Sequence, residues 1–295
     1  MFLLLARIIR HRLCALALLG VLTLAGCSAV KVGYEQSPSL LYWWLDSHVD
    51  FTDAQTPRAR EALGQLQAWH RSQELPAYVA LLARMANLAE GPVSEAQACQ
   101  ISQQVQQHMG RLAGEAARLA APVAQTLDAR QRRHLSAYWA RKNAKWDEEW
   151  LQGPPEQRLQ RRVDKAVERY ADFYGGLTPA QTAMVRRHVQ QSAWTPEWGQ
   201  QEAHRRQRLL LEALTPIQQE ALSSGEAEAR LRGVWDQMRN PPAPADRERL
   251  QTWINQGCQN MAELHNSTSA EQRQRAARRL RAYEKDLREL AGRSS

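Results

Sequence analysis

Enzyme signatures are what this 295-residue sequence most clearly lacks. It contains no H-E-x-x-H, and no two of its eight His stand at i and i+4, so a helix-borne zinc site of that type is excluded. There is no G-x-S-x-G, no Gly-rich phosphate loop and no Walker pattern. Cysteine is scarce at four residues, none in a C-x-x-C pair, which argues against redox catalysis. Strand-like alternation bounded by hairpin signals is missing, which argues against a β-rich fold. Long apolar runs are missing too. Leu13 to Leu24 is apolar but falls short of the ~20 residues of a membrane span. No other segment is long and apolar enough, so the body reads as soluble. Paired carboxylates such as Asp46 and Asp50 at i and i+4 are not evidence for glycosidase chemistry, which needs two carboxyls across a cleft. No catalytic residue, metal ligand or cofactor is therefore expected.

What is present begins with an address. Arg7, Arg10 and Arg12 precede the apolar run, which ends in Leu24-Ala25-Gly26-Cys27. A basic start, an apolar core and a small-residue site form a secretory leader. With Cys27 directly after it, the site resembles the bacterial lipobox. The resemblance implies cleavage between Gly26 and Cys27, lipidation of Cys27 and attachment of the mature chain to a membrane. Ser28 in place of Asp points, by similarity to Gram-negative sorting, to the outer membrane and its periplasmic face. Once the leader is gone, 36 basic residues face 31 acidic ones, and charges of both signs are interspersed along helices. Solvated helix faces account for this balance, and nucleic acid is not an expected partner. Cys14 leaves with the leader. Cys99 and Cys258 remain, in an oxidising compartment, as either a disulfide or two buried thiols.

One phrase recurs. Leu177-Thr178-Pro179-Ala180-Gln181 is echoed by Leu214-Thr215-Pro216-Ile217-Gln218. Each reads as a helix start: Thr as N-cap, Pro at the first helical position, and Gln181 or Gln218 reaching back to complete a capping box. Looser copies start at Phe51, Val93 and Leu127, and a shorter one at Ser269. Capping accounts for the phrase. It also resembles the LTxxQ motif of small periplasmic envelope-stress chaperones, all-helical cradles that bind unfolded proteins. This chain is about twice their length.

Between these starts the apolar residues follow a helical period, as in 57–69, 75–89 and 98–121. The expected fold is all-α, with antiparallel helical hairpins in an elongated or cradle-like bundle after a cleaved leader. The divisions read as a leader (1–26), a lipidated tether (27–38), a main helical domain (39–240), a Pro-rich linker (241–245) and a C-terminal helical pair (246–291). Ten Trp against three Phe is an unusual balance. Trp139, Trp146 and Trp150 share one helical stretch, and Trp194 and Trp198 repeat the four-residue step. These five are either core or an aromatic binding surface.

The first mature segment carries Tyr42-Trp43-Trp44-Leu45-Asp46, then Asp50-Phe51-Thr52-Asp53-Ala54-Gln55 and Trp69-His70-Arg71 with Glu74-Leu75-Pro76-Ala77-Tyr78. These residues resemble a family of proteobacterial lipoproteins known only as a domain of unknown function. The resemblance is most specific over 27–80 and brings no catalytic residues with it. The expected function is binding, either chaperone-like towards an unfolded client or as an assembly factor for one envelope partner; the remaining alternative is a helical enzyme acting on cell wall, with Glu148 as an arbitrary candidate acid. The sequence leaves the oligomeric state open.

Overall fold

The computed structural model describes residues 29–292, and Gly26 and Cys27 lie outside the described residues. The described chain is all α-helical, without strands. It forms two compact units. The first contributes one short described helix, α1 (Ala29–Glu35). The second runs from Pro38 onward and holds the remaining helices.

In the second unit, α2 (Ser37–Val49) leads through a left-handed Asp50 (φ 59°) into α3 (Thr56–Trp69). A π-turn over His70–Glu74 passes the chain into α4 (Leu75–Leu88), because Pro76 cannot donate into a regular α-helical ladder. Then follow α5 (Glu95–Ala124), α6 (Ala129–Trp146) with a second π-turn (Asp147–Leu151), α7 (Pro155–Tyr174) and α8 (Pro179–Gln191). The chain closes with α9 (Pro196–Gln219), α10 (Ser224–Arg239), α11 (Pro244–Asn266) and α12 (Ala270–Ala291).

Apolar residues at helical spacing build separate core clusters. Ala121, Ala124, Leu127, Leu135, Leu214, Ile217 and Ala227 join α5, α6, α9 and α10. Ala86, Ala89, Tyr174, Ala276, Ala277 and Leu280 join α4, α7 and α12. The C-terminal pair α11–α12 thus belongs to the same compact unit as the helices before it. Pro241, at the head of the expected linker, is fully buried, and Arg247 donates to the carbonyls of Pro241 and Pro242. Cys99 on α5 and Cys258 on α11 are joined in a disulfide across 159 residues of sequence.

The recurring phrase divides into three structural outcomes. At Ser94/Gln97, Asp128/Gln131, Thr178/Gln181 and Ser269/Gln272 it forms complete capping boxes. At Thr52/Gln55 only the return bond forms, Thr52 N–H donating to Gln55 Oε1 at 3.0 Å. At Thr215/Gln218 the expectation fails. Thr215 and Pro216 sit inside α9, and the Thr215 hydroxyl donates to Leu211 O at 2.7 Å instead of capping. The reason lies upstream. Thr178 follows the Gly175-Gly176 break, with Gly175 at φ 79°, whereas Thr215 follows a run of good helix formers whose apolar face continues into buried Ile217. Missing from the sequence reading was the box at Ser223/Glu226, which opens α10.

Candidate functional site

Four of the glutamines form two junctions. In the first, Gln55 and Gln131 face each other with both amides reciprocally bonded, Nε2 to Oε1 at 3.1 and 2.7 Å. Each amide also donates to the carbonyl two residues before the other's cap position: Gln55 to Thr126 O (2.8 Å) and Gln131 to Asp50 O (3.0 Å). The second junction repeats the diagram. Gln181 and Gln272 exchange bonds of 2.9 and 3.1 Å, Gln181 donates to Ser267 O (3.1 Å), and Gln272 donates to Gly176 O (3.0 Å). In all four residues Oε1 additionally accepts the backbone N–H at the start of its own phrase. At these four glutamines every amide proton and oxygen is consumed internally, so they weld helix starts in pairs and leave no amide atom for a ligand.

The open concave surface lies elsewhere. Ile101, Val105 and Met109 recur every fourth residue on α5, opposite Trp253, Ile254 and Met261 on α11. Between them run two adjoining cavities of about 530 and 710 Å³ that share Gln106, Trp253 and Ile254 as lining. Met85 and Leu88 of α4, Tyr174 of α7 and Leu280 of α12 also line the first, and its wall is predominantly apolar. Val105, Met109, Trp253 and Met261 are each 41–44% exposed, an unusual state for large apolar side chains clustered around one groove. The Cys99–Cys258 bridge clamps the two helices beside the apolar cavity.

Polar groups in the apolar cavity are neutralised in place. Buried His265 has Nε2 at 2.8 Å from Gly91 O, so that nitrogen carries the proton, and Nδ1 accepts from the Tyr174 hydroxyl at 2.9 Å. Burial lowers the His265 pKa and pushes the Tyr174 hydroxyl up to about 12. The second cavity has a different rim. Arg206, Arg239 and Arg247 line it with Trp235 and Glu248. Arg239 donates to Gln106 O and Oε1, and Arg247 to two proline carbonyls, and neither is paired with a carboxylate among the described residues.

The five tryptophans singled out from the sequence do not form one surface. Trp139 packs against the core of α5, α6, α9 and α10. Trp146 meets Trp150 (ring centroids 5.6 Å apart) and Trp194 (6.3 Å), and all three are half-buried. A Cβ on Gly199 would come within 2.9 Å of the Trp194 ring, so glycine is what lets the ring approach α9 this closely. Trp198 is buried under Arg249 and faces Trp253 at 6.1 Å. Because α9 starts at Pro196, Trp194 and Trp198 share no helical face. Trp253 and Trp235, which the sequence reading passed over, are the tryptophans at the groove.

A second titratable cluster is closed off. Glu74, buried at the first π-turn, accepts from His108 Nδ1 (2.6 Å) and Arg111 Nε (2.7 Å). Burial pushes its carboxyl up, but these bonds outweigh it and hold the group below the usual carboxylate range. It ties α4 to α5 and presents no open face. Among the described residues no group of His, Cys, Asp or Glu is placed to hold a metal ion. Nor is any described helix long and apolar enough to cross a membrane.

Residues 47–225 match the family of unknown function DUF6279, and the chain belongs to that family. The first junction lies wholly within the match, whereas Gln272 of the second and Cys258 of the disulfide lie beyond it. No curated protein and no solved structure matches the chain.

Proposed function

We propose that this chain is an outer-membrane lipoprotein, anchored through Cys27 on the periplasmic face, that works by binding extended apolar segments of other proteins. The groove between α5 and α11 carries this reading. It offers an apolar floor at one end and the Arg239 and Arg247 guanidiniums at the other, so it suits an apolar stretch followed by an acidic residue. The resemblance of Leu177-Thr178-Pro179-Ala180-Gln181 to the LTxxQ phrase supports an envelope chaperone-like role. The Arg- and Trp-lined end favours a second reading, in which one specific envelope partner docks there.

Both readings are tested on purified full chain with fluorescent peptides that differ in apolar content and acidic flank. Comparable affinity for many unrelated apolar peptides supports the chaperone-like role. Strong preference for one acidic-flanked sequence supports a dedicated partner. Lack of binding to every peptide, together with no suppression of aggregation of an unfolded protein, contradicts both. For the anchor, Cys27→Ser should release the protein from the outer-membrane fraction, and continued sedimentation with that fraction contradicts it.

A further inference from the structure

We infer that the outer face of α2 is a membrane-docking surface that lies on anionic phospholipid. Leu40, Leu41, Trp43 and Trp44 are 43–62% exposed and fall on one side of this 13-residue helix. The opposite side, through buried Tyr42 and through Leu45 and Val49, packs into the body. A helix apolar all round with only one side covered has an unpartnered face.

That face is rigidly presented. Tyr42 Oη bonds Thr56 Oγ1 at 2.9 Å under the Arg60 guanidinium, and the His48 ring lies against Tyr138 of α6, centroids 3.9 Å apart. At the helix end, the Asp50 carbonyl is held by Gln131 of the first junction.

The chemistry around it selects lipid. Trp44 packs tilted against His48, which packs tilted against Tyr138, and Arg141 and Lys142 flank the Tyr138 ring at 5.7 and 5.5 Å. Both cations are exposed and neither is paired with a carboxylate among the described residues. An apolar and tryptophan-rich face bordered by cations matches the boundary between acyl chains and anionic headgroups. Location agrees, on the lipoprotein reading on which this inference rests. Ser37 follows Cys27 by ten residues, a reach of at most ~36 Å even when fully extended.

The test uses the full lipidated chain bound to vesicles of phosphatidylethanolamine and phosphatidylglycerol with brominated acyl chains, which quench tryptophan on contact. The acyl groups on Cys27 are verified by intact mass. Two of the ten tryptophans should be quenched, a loss of roughly a fifth of the emission, and Trp43→Phe/Trp44→Phe should abolish that loss. An acylated, vesicle-bound chain that shows no quenching, or whose quenching survives the double substitution, overturns the docking face and leaves the anchor standing. A chain without acyl groups refutes the anchor. Titrated with excess vesicles, that chain still decides the face: quenching supports it, and no quenching overturns it. If the chain dimerises without lipid and Trp43→Ser/Trp44→Ser disperses the dimer, the face belongs to a second copy and the inference is overturned.

Discussion

The two glutamine junctions share one hydrogen-bond diagram and differ in what surrounds it. In the first, both Gln55 and Gln131 are buried, one helix start lacks a side-chain cap, and Asp50 adopts φ 59° to present its carbonyl. In the second, Gln181 is buried but Gln272 is only half-buried, both helices open with complete capping boxes, and Gly176 presents the carbonyl after left-handed Gly175. Local capping is therefore dispensable to the junction. What is common to both is the reciprocal amide pair and the carbonyl two residues before each cap. The glutamine serves to join two distant helix starts, and finishing its own helix is secondary.

The largest expected effect comes from uncoupling the junctions. The Cys99–Cys258 bridge ties α5, which leads into the first, to α11, which leads into the second. In the chain-entropy picture a loop this long contributes ~4–5 kcal/mol, so Cys99→Ala/Cys258→Ala should lower thermal stability by many degrees. Next is Gln131→Ala. It leaves buried Gln55 without its reciprocal amide partner and takes one donor from the Asp50 carbonyl, at a cost of roughly 3 kcal/mol in chemical denaturation. Gln272→Ala removes the matching bonds where water can replace them and should cost about half as much. Equal losses at the two sites would show that burial does not set the difference. Thr178→Ala removes a true cap and should cost ~1 kcal/mol. Thr52→Ala and Thr215→Ala, neither of which caps, should each stay within ~0.5 kcal/mol.

These differences mark where the sequence was readable. Helix starts at Ser94, Asp128, Thr178 and Ser269 were legible because a capping box is a contact between two residues three positions apart, carried by the letters themselves. Leu214 to Gln218 carries nearly the same letters and misleads, because a cap also needs a break before it and Ala213-Leu214 offers none. The glutamine pairs were not legible, since they join residues 76 and 91 positions apart. The groove was hidden for the same reason. Met109 and Trp253 each look like ordinary apolar residues of an amphipathic helix, and only the approach of α5 to α11 shows that neither is covered. Tryptophan count pointed to aromatic chemistry but not to the residues at the groove, because the register of Trp150 and Trp194 depends on a π-turn and on where α9 begins.

The central claim is that the junctions build and the groove binds. Melting curves and affinity for a fluorescent apolar, acidic-flanked peptide, recorded side by side on Gln131→Ala and on Met109→Ser/Trp253→Ser, test it most directly. The account predicts that Gln131→Ala melts well below the parent yet binds normally at temperatures where it is folded. Met109→Ser/Trp253→Ser should melt within a few degrees of the parent and lose at least tenfold in affinity. The reverse pattern, with binding lost in the folded glutamine variant and retained in the groove variant, would contradict it.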